Sequence, residues 1–495
     1  MDHFVETVQS QCFLLNAWDL ASAFTNIPYI YYYKNTENSL NRADFMPSGR
    51  LREAFFRTLE EFPILAGRIS TGNDGRTFVC VDSVELNMPE YIETQSQTHF
   101  RQLEKMQFAW NSLPECAATV GAFPTRGCSG VLKLANVNII RLKDNSGLVM
   151  FISIPHYVMD GVGYCAFVNR WAEVCSWIRS GLPTADLPTR TFSFNRSIIE
   201  HSLPEKQTPL YPAMHKIYNT PRYIGSILAK LSPELRGDIL VGANCLVDAT
   251  GCLFHVSRSS LDKLHYCVSG GVSSGKQFSD NDILTALISY VTSCAMQECA
   301  NKPIKNGIIK AAAKQIGHSL VQNSSEFLTM LVLDIRPRLK GLKQAQYTGN
   351  CVTCIPITTK MKKIAEANIS FQTLAAICTN VRSTVCSTDG ELLSKLHDVL
   401  HSHSASHTNA LVNAMIIQKK IVLSNQSRFS LYQNDFGNGI PMWVSPISIF
   451  YSNFASILPV HPESNGYNIY LTVESCVMKQ LQQNLLWTKY VASIY

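Results

Sequence analysis

Apolar residues recur three or four positions apart in several stretches of the chain, and this spacing is typical of amphipathic helices. Residues 51–61 show the spacing and precede a Phe-Pro pair, so we expect a helix that ends before the proline. Residues 167–178 show it as well. Residues 283–294 are apolar on most sides and follow an Asp/Asn/Ser cluster at 279–282 that can cap a helix. We therefore expect that third helix to be buried.

Other apolar runs alternate or stay continuous over a few residues, which indicates strands. Residues 131–142 and 148–154 predict two strands, and the Lys-Asp-Asn-Ser-Gly sequence between them predicts a tight turn. The second run is almost wholly apolar, so both faces of that strand are expected to be buried. The second half of the chain adds three strand-like runs and a closing helix, at residues 327–335, 351–358, 467–474 and 477–486.

A proline-rich stretch, residues 182–222, separates the two halves of the chain. Its six prolines cannot continue a helix or a central strand, so we interpret it as a long crossover. We expect one domain at residues 1–203, a linker at 204–225 and a second domain at 226–495. The mixture of helices with antiparallel hairpin signals favours an α/β fold with mixed sheets over a doubly wound parallel sheet.

Composition narrows the class of protein. Hydrophobic residues make up 46% of the 495-residue chain and charged residues 16%, which is typical of large buried cores. The net charge of +6 is small and no basic run stands out, so we expect no nucleic-acid partner. The amino-terminal segment lacks the apolar core of a signal peptide, and no run of 18 apolar residues occurs. We expect a cytoplasmic monomer without a membrane span.

Cysteine and histidine clusters give little support to a metal site. The 16 cysteines lie mostly in apolar surroundings, which favours small buried thiols over a disulfide framework. Cys351 and Cys354 have zinc-like spacing, but no second ligand pair follows at a suitable distance. Four histidines recur with helical spacing, and we interpret them as a solvated helix end in preference to metal ligands. They are His397, His401, His403 and His407.

His156 is the strongest candidate for chemistry. It follows the predicted buried strand directly, and Asp160, Gly161 and Gly163 come after it. A side chain at the end of a rigid strand, in a glycine-containing turn, is held with little freedom, as a general base requires. Histidine is also the side chain that changes charge nearest to neutral pH. The alternative is a buried histidine that only bonds to backbone. Motifs for serine hydrolysis, nucleotide hydrolysis and dinucleotide binding do not occur in the sequence.

Two motifs in a fixed order carry a family resemblance. The first is His156-Tyr-Val-Met-Asp160-Gly161, and the second is Asp435-Phe436-Gly437-Asn438-Gly439. Together they resemble the BAHD acyltransferases, especially fungal members that acetylate alcohols and sesquiterpenoid toxins. Weaker matches elsewhere extend the resemblance over nearly the whole chain, at residues 63–68, 334–338, 347–350 and 470–474.

The resemblance implies a fold and a reaction. The fold would be two similar chloramphenicol-acetyltransferase-like α/β domains, joined by the long crossover, with an active-site channel between them. The co-substrate would be acyl-CoA, with acetyl or another short acyl group expected, and the second substrate a small-molecule acceptor. No permanently bound cofactor and no metal are implied.

The resemblance also implies roles for individual residues. His156 would be the general base, while Asp160 would point away from the substrate and pair with Arg336 to fix the turn. Gly161 would serve the same turn. Residues expected to position the acceptor or the oxyanion are Ser424, Asn425 and Gln426. Residues expected to contact CoA are Lys276 and Ser279. Residues expected to be structural in the second motif are Asp435, Phe436, Gly437 and Gly439.

Two positions depart from the family pattern, and two other functions stay open. Gln426 and Asn438 stand where the family has tryptophan, so indole assistance at Gln426 is lost or replaced by the amide. A condensation-type catalyst that uses carrier-protein thioesters is one alternative, although such proteins have a second histidine where this chain has Pro155. A catalytically silent binding protein is the other, although His156 and Asp160 are both present.

Overall fold

Two mixed sheets and one small sheet form the framework of the molecule. The computed structural model describes residues 2–21, 25–36, 44–114, 131–183, 186–204, 248–270, 278–300, 326–342, 346–360, 371–402, 421–447 and 453–495. The helices of these residues are α1 (Asp2–Thr7), α2 (Ala17–Ala21), α3 (Ser48–Glu61), α4 (Phe100–Lys105), α5 (Gly161–Arg179), α6 (Ser197–Ser202), α7 (Arg258–Val268), α8 (Asp280–Ala300), α9 (Phe371–Ser387), α10 (Gly390–Ser402), α11 (Ser475–Gln483) and α12 (Leu485–Tyr490).

The strands are spread along the whole chain. They are β1 (Gln11–Leu14), β2 (Asn26–Lys34), β3 (Arg68–Thr71), β4 (Thr77–Val81), β5 (Glu90–Gln95), β6 (Asn136–Arg141), β7 (Gly147–Pro155), β8 (Ala249–Ser257), β9 (Glu326–Asp334), β10 (Val352–Lys360), β11 (Ile421–Asn425), β12 (Trp443–Pro446), β13 (Phe454–Leu458), β14 (Gly466–Glu474) and β15 (Ala492–Ser493). They form a 3-stranded sheet in the order β1-β4-β3, a 5-stranded sheet and a 7-stranded sheet.

The 5-stranded sheet belongs mainly to the first half of the chain, in the order β12-β2-β7-β6-β5. Strand β7 lies at its centre, antiparallel to both β2 and β6, and each of its residues is buried. Strand β5 runs parallel to β6, so the sheet is mixed. Helices α3 and α5 pack on one face, where the apolar side chains of β2, β6 and β7 form a core with them. Burial on both faces explains why β7 is so uniformly apolar.

The 7-stranded sheet belongs to the second half, in the order β10-β9-β11-β13-β14-β8-β15. Strand β11 runs parallel to both β9 and β13, whereas the other pairs in this sheet are antiparallel. Helices α8, α9 and α11 cover one face and enclose a second core. The carboxyl ends of β9 and β11 therefore lie side by side at one edge of the sheet.

The second half of the chain also supplies a strand to the first half. Strand β12 pairs antiparallel with β2, with Trp443 opposite Tyr32 and Pro446 opposite Tyr29. The segment that leads to β12 joins the core of the first half, where Phe436 is fully buried. The two halves are therefore interlocked through strand pairing and not merely in contact.

Most of the predicted elements are present with small shifts of their ends. The helix expected at 51–61 begins at Ser48, and the strand expected at 148–154 spans Gly147–Pro155. The strand expected at 131–142 is shorter and starts at Asn136. The closing helix is divided, because Asn484 ends α11 and caps α12 by accepting hydrogen bonds from two backbone N–H groups. Residues 205–225 of the predicted linker lie outside the described residues, so the domain boundaries stay predictions.

The structure also bears on the thiols. Cys12 and Cys80 form a disulfide between β1 and β4, where they lie opposite each other. The preference for reduced thiols was wrong for this pair, because the antiparallel register brings the two residues together. Most of the other cysteines in the described part of the chain are buried free thiols, as expected.

The histidine cluster is only partly described. His397 accepts a hydrogen bond from the indole of Trp18 at 3.1 Å and stacks on it, so it packs against α2 and is not a solvated helix end. The side chain of His401 and the whole of His403 and His407 lie outside what the structure describes. Among the described residues, no group of three or more His, Cys, Asp or Glu side chains is arranged to hold a metal ion. No described helix has the length and apolar character needed to cross a membrane.

Candidate active site

His156 lies at the seam between the two halves. It follows the last residue of β7, and its backbone N–H donates to the carbonyl of Thr25 at 2.7 Å. Helix α5 begins only five residues later, at Gly161. The imidazole reaches across to the second half, because its Nδ1 lies 3.0 Å from Oδ1 of Asn350. The side chain is partly buried, so a rigid strand on one side and a helix start on the other hold its backbone.

Asn350 fixes the protonation pattern of the imidazole. Its amide Nδ2 donates to the carbonyl of His156 at 2.7 Å and to Oδ1 of Asp19 at 3.0 Å. The opposite amide orientation would place an oxygen against those two acceptors, so Oδ1 is the atom that faces the ring. Oδ1 can only accept, so Nδ1 of His156 carries the proton. The other ring nitrogen, Nε2, then has a free lone pair that can accept a proton.

Asp19 lies behind Asn350 and is fully buried. Its carboxylate also accepts a hydrogen bond from the backbone N–H of Asn350 at 3.0 Å. Arg196 pairs with it at 3.2 Å and donates to the carbonyl of Val158 at 2.6 Å. The arginine therefore ties the residue that orients Asn350 to the turn that carries His156. A buried carboxylate with this many donors is compensated in charge and in hydrogen bonding.

Asp160 and Arg336 form a second buried ion pair below the same turn. The two guanidinium Nη atoms of Arg336 donate to the two carboxylate oxygens of Asp160 at 2.8 and 3.0 Å. Asp160 also caps α5 by accepting from the N–H groups of Val162 and Gly163, and it accepts the N–H of Cys351 at 3.0 Å. The carboxylate is thus surrounded by donors from both halves, and these donors are Arg336, Val162, Gly163 and Cys351 and not His156.

Arg336 responds to this environment. Burial lowers the pKa of its guanidinium, but the charge and hydrogen bonds of Asp160 outweigh burial and raise the pKa above its ordinary value. Arg336 also donates to the carbonyl of Gly349 at 2.8 Å, next to Asn350. The ion pair therefore holds the His156 turn and the Asn350 segment in one frame.

Gly161 and Gly163 make the close approach of the halves possible. A Cβ atom on Gly161 would collide with the ring of Phe429, and one on Gly163 would collide with the backbone carbonyl of Thr348. Neither glycine is required for a positive φ, so space and not backbone strain explains them.

Ser424, Asn425 and Gln426 lie at the end of β11, where the two halves also meet. The hydroxyl of Tyr29, on β2, donates to Oε1 of Gln426 at 2.7 Å. Nε2 of Gln426 donates to the hydroxyl oxygen of Ser424 at 3.2 Å. The amide of Asn425 is engaged elsewhere, since Nδ2 donates to Asn281 at 2.7 Å. Gln426 thus bridges the two sheets, at a position where the family has an indole.

The two residues expected to contact CoA fare differently. Lys276 lies outside the described residues. Ser279 begins α8, where its hydroxyl accepts from the N–H of Asp282 at 3.2 Å and its own N–H donates to the Asp282 carboxylate at 2.8 Å. This reciprocal pair is a capping box, so the position of Ser279 is explained by the start of the helix.

Asp280, in the first turn of the same helix, gathers three donors from around it. Arg258, His265 and Tyr467 hydrogen-bond to its carboxylate at 2.6, 2.8 and 2.9 Å. Burial raises the pKa of Asp280, but these hydrogen bonds outweigh burial and hold the pKa well below its ordinary value. The cluster anchors α8 to α7 and β14.

The second motif packs against the first half of the chain. The carboxylate of Asp435 accepts the N–H groups of Gly437 and Gly439 at 2.7 and 2.8 Å, and both glycines have positive φ angles of 92° and 97°. Phe436 is buried with its ring edge-on to Trp171. Asn438 accepts a hydrogen bond from Arg50 at 2.6 Å. The structure therefore brings these residues together as a tight turn that docks on the first core.

Comparison with known proteins identifies the family of the chain. A model of the Transferase family matches residues 5–222 and 306–486. The chain belongs to this family, the BAHD acyltransferases. It is therefore an acyl-CoA-dependent acyltransferase, as the resemblance of its two motifs indicated.

The relatives of this acyltransferase are distant but cover nearly its whole length. A hydroxycinnamoyl-CoA:5-hydroxyanthranilate N-hydroxycinnamoyltransferase of Avena sativa is 22% identical over 94% of this chain and 93% of its own. A crystal structure of F. graminearum TRI101 complexed with coenzyme A and deoxynivalenol covers 98% of this chain and 100% of that chain, with a TM-score of 0.69 and 17% identity. A crystal structure of vinorine synthase covers 98% of this chain and 95% of that chain, with a TM-score of 0.59 and 17% identity. The structural matches confirm the predicted fold class of two α/β units with mixed sheets.

Sequence reasoning missed several residues of this BAHD acyltransferase that the structure places at the seam. Asn350 stood in a segment used only to support the resemblance, and its Tyr-Thr-Gly-Asn context was the available signal. Asp19, Arg196 and Tyr29 carried no signal, because each is far from its partners along the chain. Their roles depend on contacts that only the folded molecule creates.

Proposed function

We propose that the chain transfers an acyl group from acyl-CoA to a hydroxyl or amine of a small molecule, with His156 as the general base. The observation that carries this proposal is the tautomer fixed by Asn350, which leaves Nε2 as a proton acceptor. A histidine that served only to bond to backbone would not need its ring nitrogen oriented in this way. The partial burial of the ring is compatible with access for a substrate.

The reaction is a direct transfer in one site. Nε2 of His156 takes the proton of the acceptor as the acceptor atom attacks the thioester carbonyl. The tetrahedral intermediate collapses, the carbon–sulfur bond breaks, and CoA thiolate leaves and receives the proton. General-base assistance of this kind contributes about 10²–10⁴-fold to a rate. Asp160 and Arg336 act by holding the turn and do not exchange protons with substrate.

The donor side of the site is proposed from position and from the family pattern. Ser424 is the candidate donor to the oxyanion, with Asn425 and Gln426 beside it at the end of β11. Lys276 and Ser279 are proposed to face CoA, because they lie in the segment that resembles the family's CoA-contacting loop. A channel between the halves would bring CoA and acceptor to His156 from opposite faces.

The acyl group is proposed to be acetyl or another short acyl, in keeping with the resemblance to fungal acetyltransferases. The Avena sativa relative is named for hydroxycinnamoyl-CoA, so an aromatic acyl-CoA is the alternative donor to be tested. We also propose that the enzyme works as a cytoplasmic monomer, as expected from the sequence.

The proposed function is tested by measuring CoA release and product mass. Purified protein is incubated with acetyl-, propionyl- and p-coumaroyl-CoA against a panel of alcohols and amines. Transfer that is lost in His156→Ala, while the melting temperature is retained, supports the proposal. His461→Ala serves as a matched control, because that histidine contacts Glu463 and Tyr432 and none of the residues described above as holding His156. Binding of CoA without turnover from any donor would instead favour the catalytically silent protein.

A further inference from the structure

The side chains at the end of β11 differ in whether their hydrogen-bond donors are already used among the described residues. Ser424 Oγ accepts a hydrogen bond from Nε2 of Gln426, and among the described residues this is the only hydrogen bond of that hydroxyl. A hydroxyl has one proton, and accepting a bond does not use it. The proton of Ser424 is therefore not committed to an acceptor in the described part of the chain.

That outcome depends on which way round the Gln426 amide stands. With Nε2 toward Ser424, the amide donates and the serine keeps its proton. If the amide were reversed, Oε1 would face Ser424 and accept the serine proton. The orientation of one amide thus decides whether Ser424 can donate to anything else.

Tyr29 sets the orientation. Its hydroxyl donates to Oε1 of Gln426 at 2.7 Å, a distance typical of a good hydrogen bond. Burial raises the pKa of this phenol well above its ordinary value, so the hydroxyl keeps its proton at any working pH. The 2.7 Å separation from Tyr29 is typical of an O–H···O bond, and the 3.2 Å separation from Ser424 fits an N–H···O bond. The amide oxygen therefore lies on the side of Tyr29 and the amide nitrogen on the side of Ser424.

We propose that Tyr29 is a positioning residue for acyl transfer, acting through Gln426 to keep the Ser424 proton available to the oxyanion. The relay runs from β2 in the first half to β11 in the second half, so it reports whether the halves are correctly docked. Gln426 stands in place of the family's tryptophan, and the relay is therefore specific to a chain with an amide at this position. The inference rests on the proposed function.

The test is a double-mutant cycle on kcat, with acetyl-CoA or the best donor found. Ser424→Ala is expected to lower kcat by about 10²-fold, as for loss of one oxyanion donor, with little change in KM for the acyl-CoA. Tyr29→Phe removes the hydrogen bond that orients the amide and is expected to lower kcat roughly 2- to 10-fold. In the Ser424→Ala background, Tyr29→Phe is expected to have less than about a 2-fold effect, because it acts only through the serine.

A rescue separates positioning from packing. Tyr29→Phe combined with Gln426→Met removes both the orienting hydroxyl and the amide. Because no amide oxygen can then accept the Ser424 proton, kcat is expected to rise above that of Tyr29→Phe alone. Tyr32→Phe is the matched control, since this buried hydroxyl of the same strand has no hydrogen-bond partner among the described residues. Its kcat is expected to equal that of the wild type, and melting temperatures check folding throughout.

Several results would overturn the relay while leaving the proposed function intact. They are full activity in Ser424→Ala, an equal effect of Tyr29→Phe with and without Ser424, or a double variant slower than Tyr29→Phe. If instead the wild type transfers no acyl group from any donor, the proposed function itself fails.

Discussion

Asp160→Asn is the substitution for which the structure gives the clearest magnitude. The carboxylate accepts hydrogen bonds from both Nη atoms of Arg336 and from the N–H groups of Val162, Gly163 and Cys351. An asparagine of the same shape must turn its NH₂ group toward at least two of these donors. It also removes the buried counter-charge of Arg336, which keeps only its contact at 3.1 Å with the less buried carboxylate of Asp334.

Breaking a buried ion pair by changing one partner costs about 3–5 kcal/mol. We therefore expect Asp160→Asn to lower the free energy of unfolding by about that amount, measured from urea unfolding followed by intrinsic fluorescence. The folded fraction is expected to keep transfer activity within about 10-fold of the wild type, because Asp160 holds the turn and does not touch the reacting atoms.

The matched control is Asp435→Asn. That carboxylate is exposed and accepts two backbone N–H groups through one oxygen, which an asparagine can retain. Its loss of stability is expected to stay below about 1 kcal/mol. If Asp160→Asn kept full stability and lost all transfer, the carboxylate would belong to the chemistry and the structural role would be wrong.

Three further predictions follow from contacts at the seam and at α8. Asn350→Ala removes the acceptor that fixes the imidazole tautomer, so kcat is expected to fall about 10- to 100-fold with little change in KM, and a change confined to KM would contradict it. Because the folded state depresses the pKa of Asp280, ionised Asp280 stabilises the fold above about pH 4, and this contribution is lost as pH falls. Asp280→Asn is therefore expected to reduce the fall in the urea midpoint of unfolding between about pH 5 and 2. Gly161→Ala and Gly163→Ala are each expected to cost about 1–3 kcal/mol in thermal unfolding, but only the first is relieved by Phe429→Leu, because the second clash is with backbone.

The sequence predicted elements better than it predicted contacts. The helix at Ser48–Glu61 and the strand at Gly147–Pro155 follow from apolar spacing and continuous apolarity, which are local properties. The turn that carries His156 could also be placed, because the end of a buried strand and two glycines are adjacent in the chain. The pairing of β12 with β2 could not, since it joins residues more than 400 positions apart and four residues carry no register signal.

The candidate site divides in the same way. His156 and the Asp160–Arg336 pair were named from motifs, whereas Asn350 and Asp19 matter through hydrogen bonds that no spacing reveals. The Gln426 amide is a sharper case. The sequence shows that Gln426 stands where the family has tryptophan. Its partner Tyr29, however, is one of four tyrosines in a five-residue part of β2, and only the fold shows which of them contacts the amide.

The strand exchange has a consequence for synthesis on the ribosome. Strand β2 cannot acquire its outer neighbour until residue 446 has emerged, so the earlier sheet keeps one open edge while residues 35–445 are synthesised. An open flank of alternating tyrosines is a template for pairing with other nascent chains. Chains truncated ahead of Trp443 should therefore aggregate even though every earlier strand is present, because β2 then never acquires its pairing with β12.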